Sequence, residues 1–115
     1  MSDPLARRFF EERLPGLLRR QGRAVLPERV ELGFIVDGPR GGAWQVASGR
    51  GGAVEVGRLV PGAKDLVVRC LDIDFEDILG GRLPPAVAFE DGRVRVEGDI
   101  GLLLRLRALL PLAAA

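Results

Sequence analysis

The chain has 115 residues, enough for one domain with its own core. Its 17 basic and 16 acidic side chains give a formal net charge of +1, so composition does not predict a nucleic-acid partner. The sequence contains one cysteine and no histidine, tyrosine, asparagine or threonine. Most acid–base, nucleophilic and zinc chemistry uses those residue types. The composition therefore disfavours an enzyme and excludes an internal disulfide framework or a cysteine-based zinc site.

The first predicted element is helical and spans residues 1–22. Asp3 and Pro4 are typical of a helix start, a capping carboxylate followed by proline at the first helical position. Apolar side chains then recur at helical spacing as far as Leu18. Pro15 lacks the amide hydrogen that the helical ladder requires, so the sequence predicts two helical pieces with a kink at that position.

Residues 30–71 alternate between apolar and polar side chains, which is typical of strands. The alternation predicts four strands, over residues 30–36, 43–48, 53–59 and 66–71. Turns rich in glycine or proline separate them. Because these connections are short, we predict an antiparallel meander that leaves one face to solvent.

Helical spacing returns over residues 72–90. Asp72 or Asp74 can cap a helix that ends at Gly80, and Pro84 precedes a second short helical piece. A helical segment at this point separates the four strands from the remainder of the chain.

A last strand is predicted over residues 93–97, followed by a C-terminal helix over 99–111 that Asp99 caps. No internal repeat or linker divides the sequence. The sequence therefore predicts a single α+β domain over residues 1–115, with the sheet in the middle of the chain and helices at both ends.

Three segments resemble functional motifs but fit structural roles better. The acidic run 72–77 departs from a calcium loop at its sixth and twelfth positions, and helix-start charges explain it. The glycine-rich segments 38–42 and 49–52 lack a phosphate-loop signature and fit hairpin turns. Cys70 falls on the buried side of its strand, where a small core residue is expected. We predict no metal site, cofactor or catalytic residue.

Two further features leave alternatives open. Residues 1–29 carry seven basic and four acidic side chains, which form either an ordinary solvated surface or a docking surface for anionic lipid. The docking hypothesis rests on Arg19, Arg20 and Arg23. The predicted C-terminal helix is apolar nearly all round, so it is either packed on both sides or lines a cavity or partner interface.

From about residue 34 to residue 106 the chain resembles the sterol carrier protein type 2 family. Residues 74–89 (DFEDILGGRLPPAVAF) are similar to that family's acidic helix, glycine–basic–leucine–proline step and Ala-Phe pair. Residues 90–99 (EDGRVRVEGD) are similar to its signature of alternating apolar residues closed by Gly-Asp. Upstream, residues 34–38 (FIVDG) and 42–44 (GAW) resemble its first hairpin, and residues 9–15 (FFEERLP) the first helix of bacterial members.

The resemblance implies a mostly antiparallel sheet of five strands covered by helices, with an apolar lipid tunnel between them. It also implies no catalytic residues and a role in binding or moving lipids: a fatty acid, acyl-CoA, a phospholipid, an isoprenoid or a sterol-like molecule. Matching family positions, combined with the faces described above, assign the lipid cavity to nine residues. They are Phe75, Ile78, Leu79, Leu83, Phe89, Ile100, Leu103, Leu104 and Leu106.

Other functions are weighed beside the carrier. An accessory or scaffold domain, as relatives of this fold form in ubiquinone biosynthesis, would present the apolar C-terminal helix to a protein partner or to a second copy in a homodimer. An enzyme would have to work with carboxylates such as Asp72 and Asp74. The first residues lack the apolar core of a signal peptide and the last ones carry no peroxisomal address. We therefore expect a cytoplasmic, bacterial protein that meets membranes transiently.

Overall fold

Residues 4–107 form five strands and five α-helices. The strands are β1 (Glu31–Asp37), β2 (Gly42–Ser48), β3 (Val54–Arg58), β4 (Leu66–Leu71) and β5 (Val94–Gly98). The helices are α1 (Leu5–Arg8), α2 (Leu14–Val25), α3 (Asp72–Leu79), α4 (Pro85–Glu90) and α5 (Ile100–Arg107). The structure, a computed structural model, describes residues 4–107, and only the backbone of residues 21–25, 52, 106 and 107.

The N-terminal helical segment is irregular just before Pro15. A π-helical stretch, Phe9–Arg13, joins α1 to α2, and the amide of Leu14 donates to the carbonyl of Phe9, five residues back. The wide turn comes directly before Pro15, which cannot donate a hydrogen bond to the preceding turn. The helix then continues past Pro15 as α2, so the segment divides immediately before the proline at which the sequence predicts the kink.

The strands form one sheet in the order β3-β2-β1-β4-β5. Three of the four strand pairings are antiparallel, which confirms the predicted α+β class and the mostly antiparallel sheet. The predicted four-strand meander is wrong after β3, because β4 pairs with β1 in parallel. Alternation of side chains fixes which face each residue occupies but not which strand lies beside it.

The connection from β3 to β4 crosses the sheet on the face away from the helices, here called the outer face. Its Leu59 side chain lies over Gly33 in β1, where an added Cβ would meet Leu59 Cδ1 at 3.2 Å. The amide of Val60 donates to Gln45 Oε1 on the same face at 3.1 Å. A short segment can therefore make the crossover, because Gly33 leaves room for it.

The opposite, inner face of the sheet carries the core. Its buried positions include Leu32, Val46 and Leu66, one from each of three neighbouring strands, and all are fully buried. Side chains of the N-terminal helical segment pack on this face, among them Phe10 and Leu18. The helices are thus held by one apolar face of the sheet.

No helix among residues 4–107 is long and apolar enough to cross a membrane.

Candidate functional site

A cavity of about 290 Å³ lies between the inner face of the sheet and the helices. Its walls come from the N-terminal helical segment, from β1, β4 and β5, and from α3, α4 and α5. The lining residues are Phe9, Phe10, Leu14, Phe34, Val68, Cys70, Phe75, Ile78, Pro85, Ala86, Phe89, Glu90, Val94, Ile100, Leu103 and Leu104. Almost all of them are apolar, so the cavity favours a ligand that is itself mostly apolar.

Aromatic rings form the floor, the closed end of the cavity. The ring of Phe10 stacks on Trp44 at 4.6 Å and on Phe75 at 5.4 Å between centroids. Phe9 meets Phe75 edge-on at 5.6 Å. The indole nitrogen of Trp44 donates to the carboxylate of Glu11 at 3.3 Å, which holds the ring in place. The floor is therefore a packed aromatic cluster.

The other end of the cavity, here called the mouth, opens to solvent between α4 and α5. Phe89, Ile100 and Leu104 line the cavity and yet are 45%, 49% and 58% exposed. Glu90, at the end of α4, is the charged residue of the lining. The mouth thus combines an apolar rim with one carboxylate.

Cys70, on the inner face of β4, lines the cavity and is buried. Burial raises the pKa of its thiol to about 12, with a smaller contribution from the nearby carboxylate of Asp74. A thiol with so high a pKa is neutral near pH 7 and a weak nucleophile. In this position it acts as an apolar wall residue.

Six of the nine predicted cavity residues line the cavity. Leu79 packs against the core and Leu83 is buried, and neither belongs to the lining. The side chain of Leu106 lies outside the described residues. The six that line the cavity are Phe75, Ile78, Phe89, Ile100, Leu103 and Leu104.

Sequence reasoning missed the floor and the sheet side of the cavity. Phe9, Phe10 and Leu14 belong to the helical pattern that ends at Leu18, and Phe34 and Val68 to the alternating pattern of residues 30–71; both patterns indicate only a buried face. Those faces are the ones that line the cavity. The period of the pattern identifies buried faces but does not separate the residues of a cavity wall from those of a filled core.

The acidic run at the start of α3 has a structural role. The helix begins at Asp72, preceded by Leu71 without a side-chain cap, so the predicted cap by Asp72 or Asp74 is wrong. One Asp72 oxygen instead accepts from the amide of Arg40 at 2.9 Å and the other from that of Ile73 at 2.8 Å. Among residues 4–107 no group of three acidic or cysteine side chains could hold a metal ion.

The predicted docking arginines lie away from the mouth. Arg19 and Arg20 are exposed on α2, which packs on β3 at one edge of the sheet. The mouth is formed by α4 and α5, and α4 packs on β5 at the opposite edge. The side chain of Arg23 lies outside the described residues. These arginines therefore do not belong to the cavity.

The site defines a class of protein: a small α+β domain that holds an apolar cavity between one sheet and its helices. Residues 31–111 match the model of the SCP-2 sterol transfer family. The chain belongs to that family, as the resemblance of its motifs predicts.

Known relatives extend this result. Hydroxysteroid dehydrogenase-like protein 2 from Xenopus tropicalis is 35% identical over 80 residues, a match that covers 67% of this chain but 18% of that protein. The sterol carrier protein domain 2 of Helicoverpa armigera is 26% identical, with a TM-score of 0.60 over 96% of this chain and 82% of that domain. The chain therefore corresponds to one domain of its longer curated relative.

Two less similar structures share the fold. The palmitated sterol carrier protein 2-like 2 of Aedes aegypti is 18% identical, with a TM-score of 0.68 over 92% of this chain and 95% of that protein. A ubiquinone synthesis protein described as UbiJ-SCP2 is 22% identical, with a TM-score of 0.59 over 93% and 88%. The fold thus occurs in proteins described as a lipid-loaded carrier and as a biosynthetic protein.

Proposed function

We propose that the chain is a non-catalytic carrier of lipids, which binds the apolar chain of its ligand in the cavity and exchanges it with membranes. The observation that carries this proposal is the apolar lining, which runs from a closed aromatic floor to an open mouth. The palmitated Aedes protein and the sterol carrier protein domain of Helicoverpa support this class of ligand. A cytoplasmic location is part of the proposal.

The energetics of such a cavity suit a carrier. Transfer of a methylene group from water into apolar surroundings gains about 0.8 kcal/mol. A bilayer interior offers nearly the same gain, so exchange between cavity and membrane is close to neutral. The lining gives a ligand few hydrogen-bonding groups, and those near it are Glu90 and the thiol of Cys70. The protein can therefore both load and unload its ligand.

The size of the cavity favours one acyl or isoprenoid chain as ligand. At about 290 Å³ it lies at the lower end of the range of known ligand pockets. A chain can enter between Phe89 and Leu104, with its polar head group left at the mouth. A fatty acid or an acyl-CoA has one chain for the cavity and one polar head group for the mouth. It therefore fits better than a phospholipid with two chains or a sterol-like ring system.

The proposed carrier is non-catalytic because the thiol and the carboxylate of the cavity lining are unsuited to catalysis. Its thiol is un-ionised near pH 7, because burial raises its pKa to about 12. Its one carboxylate, Glu90, is exposed at the mouth. Neither group has the partner base or acid that nucleophilic or general acid–base catalysis requires within the described lining.

A charge placed at the mouth tests the proposal. Phe89→Asp should weaken binding of a fluorescent fatty acid about tenfold or more, because the chain would have to desolvate a carboxylate as it enters. Val87→Asp is the matched control: it lies in the same helix, is 41% exposed beside 45% for Phe89, and does not line the cavity. Mass spectrometry of lipids extracted from the purified protein then identifies the natural ligand.

Equal effects of the two substitutions, or absence of both extracted lipid and probe binding in the unsubstituted protein, would refute the carrier function. The probe should be titrated at a fixed protein concentration while circular dichroism checks that both variants are folded.

We further propose that Arg19, Arg20 and Arg23 draw the protein to anionic surfaces, each by about 1 kcal/mol. Sedimentation with vesicles that contain or lack anionic lipid measures that attraction.

A scaffold function is the second candidate, favoured by the shared fold with the ubiquinone synthesis protein and by the exposed apolar rim. In this case Phe89, Ile100 and Leu104 would meet a protein partner instead of a lipid. Native mass spectrometry of the protein from its own cell separates the two. A carrier is recovered with lipid mass, and a scaffold with a stoichiometric protein partner and no lipid.

A further inference from the structure

β5 forms one edge of the sheet, and no segment among the described residues pairs with its outer side. Its inward side pairs with β4 from Val94 to Gly98. Among residues 4–107, no backbone hydrogen bond joins these five residues to any segment other than β4. Edge strands with unpaired amides and carbonyls add a further strand readily unless their side chains prevent it.

The outer face of β5 carries two charges of opposite sign, on Arg95 and Glu97. Arg95 lies directly opposite Arg69 of β4, which is itself bonded to Asp37 at 2.8 and 3.0 Å. Glu97 lies opposite Val67. Within the described chain neither Arg95 nor Glu97 forms an ion pair or a side-chain hydrogen bond. A like charge directly opposite is unfavourable in a sheet, so Arg95 gains from a carboxylate on its other side.

We propose that two copies of this chain pair antiparallel through β5, centred on Val96. A two-fold axis at Val96 sets Arg95 of each copy directly opposite Glu97 of the other, which makes two cross-strand ion pairs. The same axis sets Arg93 opposite Asp99, whereas an axis at Arg95 or at Glu97 would oppose two like charges and keep only one kind of opposite pair, Arg93 with Glu97 or Arg95 with Asp99. The charge pattern therefore selects one register of self-pairing and disfavours its neighbours.

The other edge of the sheet does not offer this arrangement. β3 is in contact with α2, as β5 is with α4, so helix contacts do not distinguish the two edges and the charge pattern decides. In a self-pairing centred on Val56, Glu55 would face Gly57 and gain no opposite charge. A second copy thus fits β5 better than β3, and the pairing closes as a dimer instead of continuing as a fibre.

The dimer would be reversible and would bring two cavities together. A strand edge of five residues buries little surface, so association should depend on protein concentration and weaken with salt. Val94 belongs both to β5 and to the cavity lining. In the dimer the two sheets would join into one sheet of ten strands. Because β5 contributes to the cavity wall, the two cavities would lie on either side of the paired β5 strands.

Charge reversal tests the pairing. Sedimentation equilibrium of the full chain should show a monomer–dimer equilibrium that Arg95→Glu and Glu97→Arg each weaken about tenfold or more, since each reversal opposes like charges twice. The double variant R95E/E97R restores opposite charges and should return to within about threefold of the original dissociation constant. Glu55→Arg, on the β3 edge, is the matched control and should change nothing.

A thiol cross-link reports the register. In a Cys70→Ser background, Val96→Cys should join two chains through a short bifunctional thiol reagent, because residue 96 faces itself across the axis. Val94→Cys, which would face Gly98 of the second copy, should not. A strictly monomeric protein, a dimer unaffected by the single reversals, or a double variant as weak as either single one would each overturn the proposal. If R95E binds the fatty-acid probe as tightly as the unsubstituted protein does, dimer formation and lipid binding are independent of each other.

Discussion

The floor and the mouth of the cavity consist of the same kinds of side chain in opposite environments. Phe10 on the floor is 1% exposed and touches four other rings within 5.4 Å, whereas Phe89 at the mouth is nearly half exposed. Among the described residues Phe89 has no ring partner. Burial and ring packing stabilise the folded chain, and exposed apolar surface does not. We therefore expect substitutions on the floor to change stability and substitutions at the mouth to change the proposed ligand exchange.

The largest effect should come from the floor. Phe10→Ala removes a fully buried ring that contacts Phe9, Trp44 and Phe75, so it should lower the free energy of unfolding by about 3–5 kcal/mol. Urea unfolding followed by tryptophan fluorescence measures the loss, since the chain has one tryptophan and Phe10 stacks on it.

Phe89→Ala is the control for that measurement, because it deletes the same ring at the mouth. It should cost well under half as much, as its ring is already exposed to solvent. Equal losses for the two substitutions would mean that the mouth is part of the stabilising core, and the division into floor and mouth would fail.

The next effect concerns Cys70, which lies on the cavity wall. Because burial raises the pKa of its thiol to about 12, the thiolate fraction near pH 8 should be roughly a thousandfold below that of an ordinary thiol. The rate of alkylation by a small maleimide should then rise tenfold per pH unit from pH 7 to pH 10. It should not level off near pH 9, where the urea-unfolded chain levels off.

A bound fatty acid provides a second test through the alkylation rate of Cys70. A fatty acid in the cavity should slow the alkylation of Cys70 further, and the chain has no other cysteine to obscure the signal. A plateau near pH 9 in the folded protein would place the thiol in contact with solvent, and would contradict a closed apolar wall at this point.

The sequence predicted the elements of this fold better than their arrangement. Alternating side chains located all five strands to within a residue or two, because one face of the sheet is buried and the other is not. The parallel pairing of β1 with β4 depends on a connection that crosses the outer face above Gly33. Pro61 and Gly62 in that connection are typical of a tight turn. Local composition does not show how far the chain runs between the end of one strand and the start of the next.

The resemblance to the family, combined with the helix faces, pointed to cavity residues on α3, α4 and α5 but to none on the N-terminal helical segment or the sheet. Leu79 and Leu83 were included because helical spacing does not resolve which flank of an apolar stripe meets open space. The aromatic floor was missed for a related reason. A residue such as Phe34 packs on the core and lines the cavity at once, and periodicity reports only that it is buried.

The smallest effect on stability should come from the rim. Leu104→Ala, at a side chain 58% exposed on α5, should change the free energy of unfolding by less than about 0.5 kcal/mol. It should nevertheless speed release of a fatty-acid probe to vesicles by about two- to fivefold. Loss of apolar cover at the mouth worth up to about 1 kcal/mol corresponds to that range.

Ile73→Ala separates the rim from exposed apolar surface in general. Ile73 is 61% exposed on α3 and does not line the cavity, so its truncation should leave the release rate unchanged. Stopped-flow transfer to vesicles containing a quencher compares the two variants at equal stability. If both speed release alike, exposed apolar area anywhere on the surface governs exchange, and the mouth between α4 and α5 has no special part in it. If only Leu104→Ala does so, the rim controls the passage of the ligand.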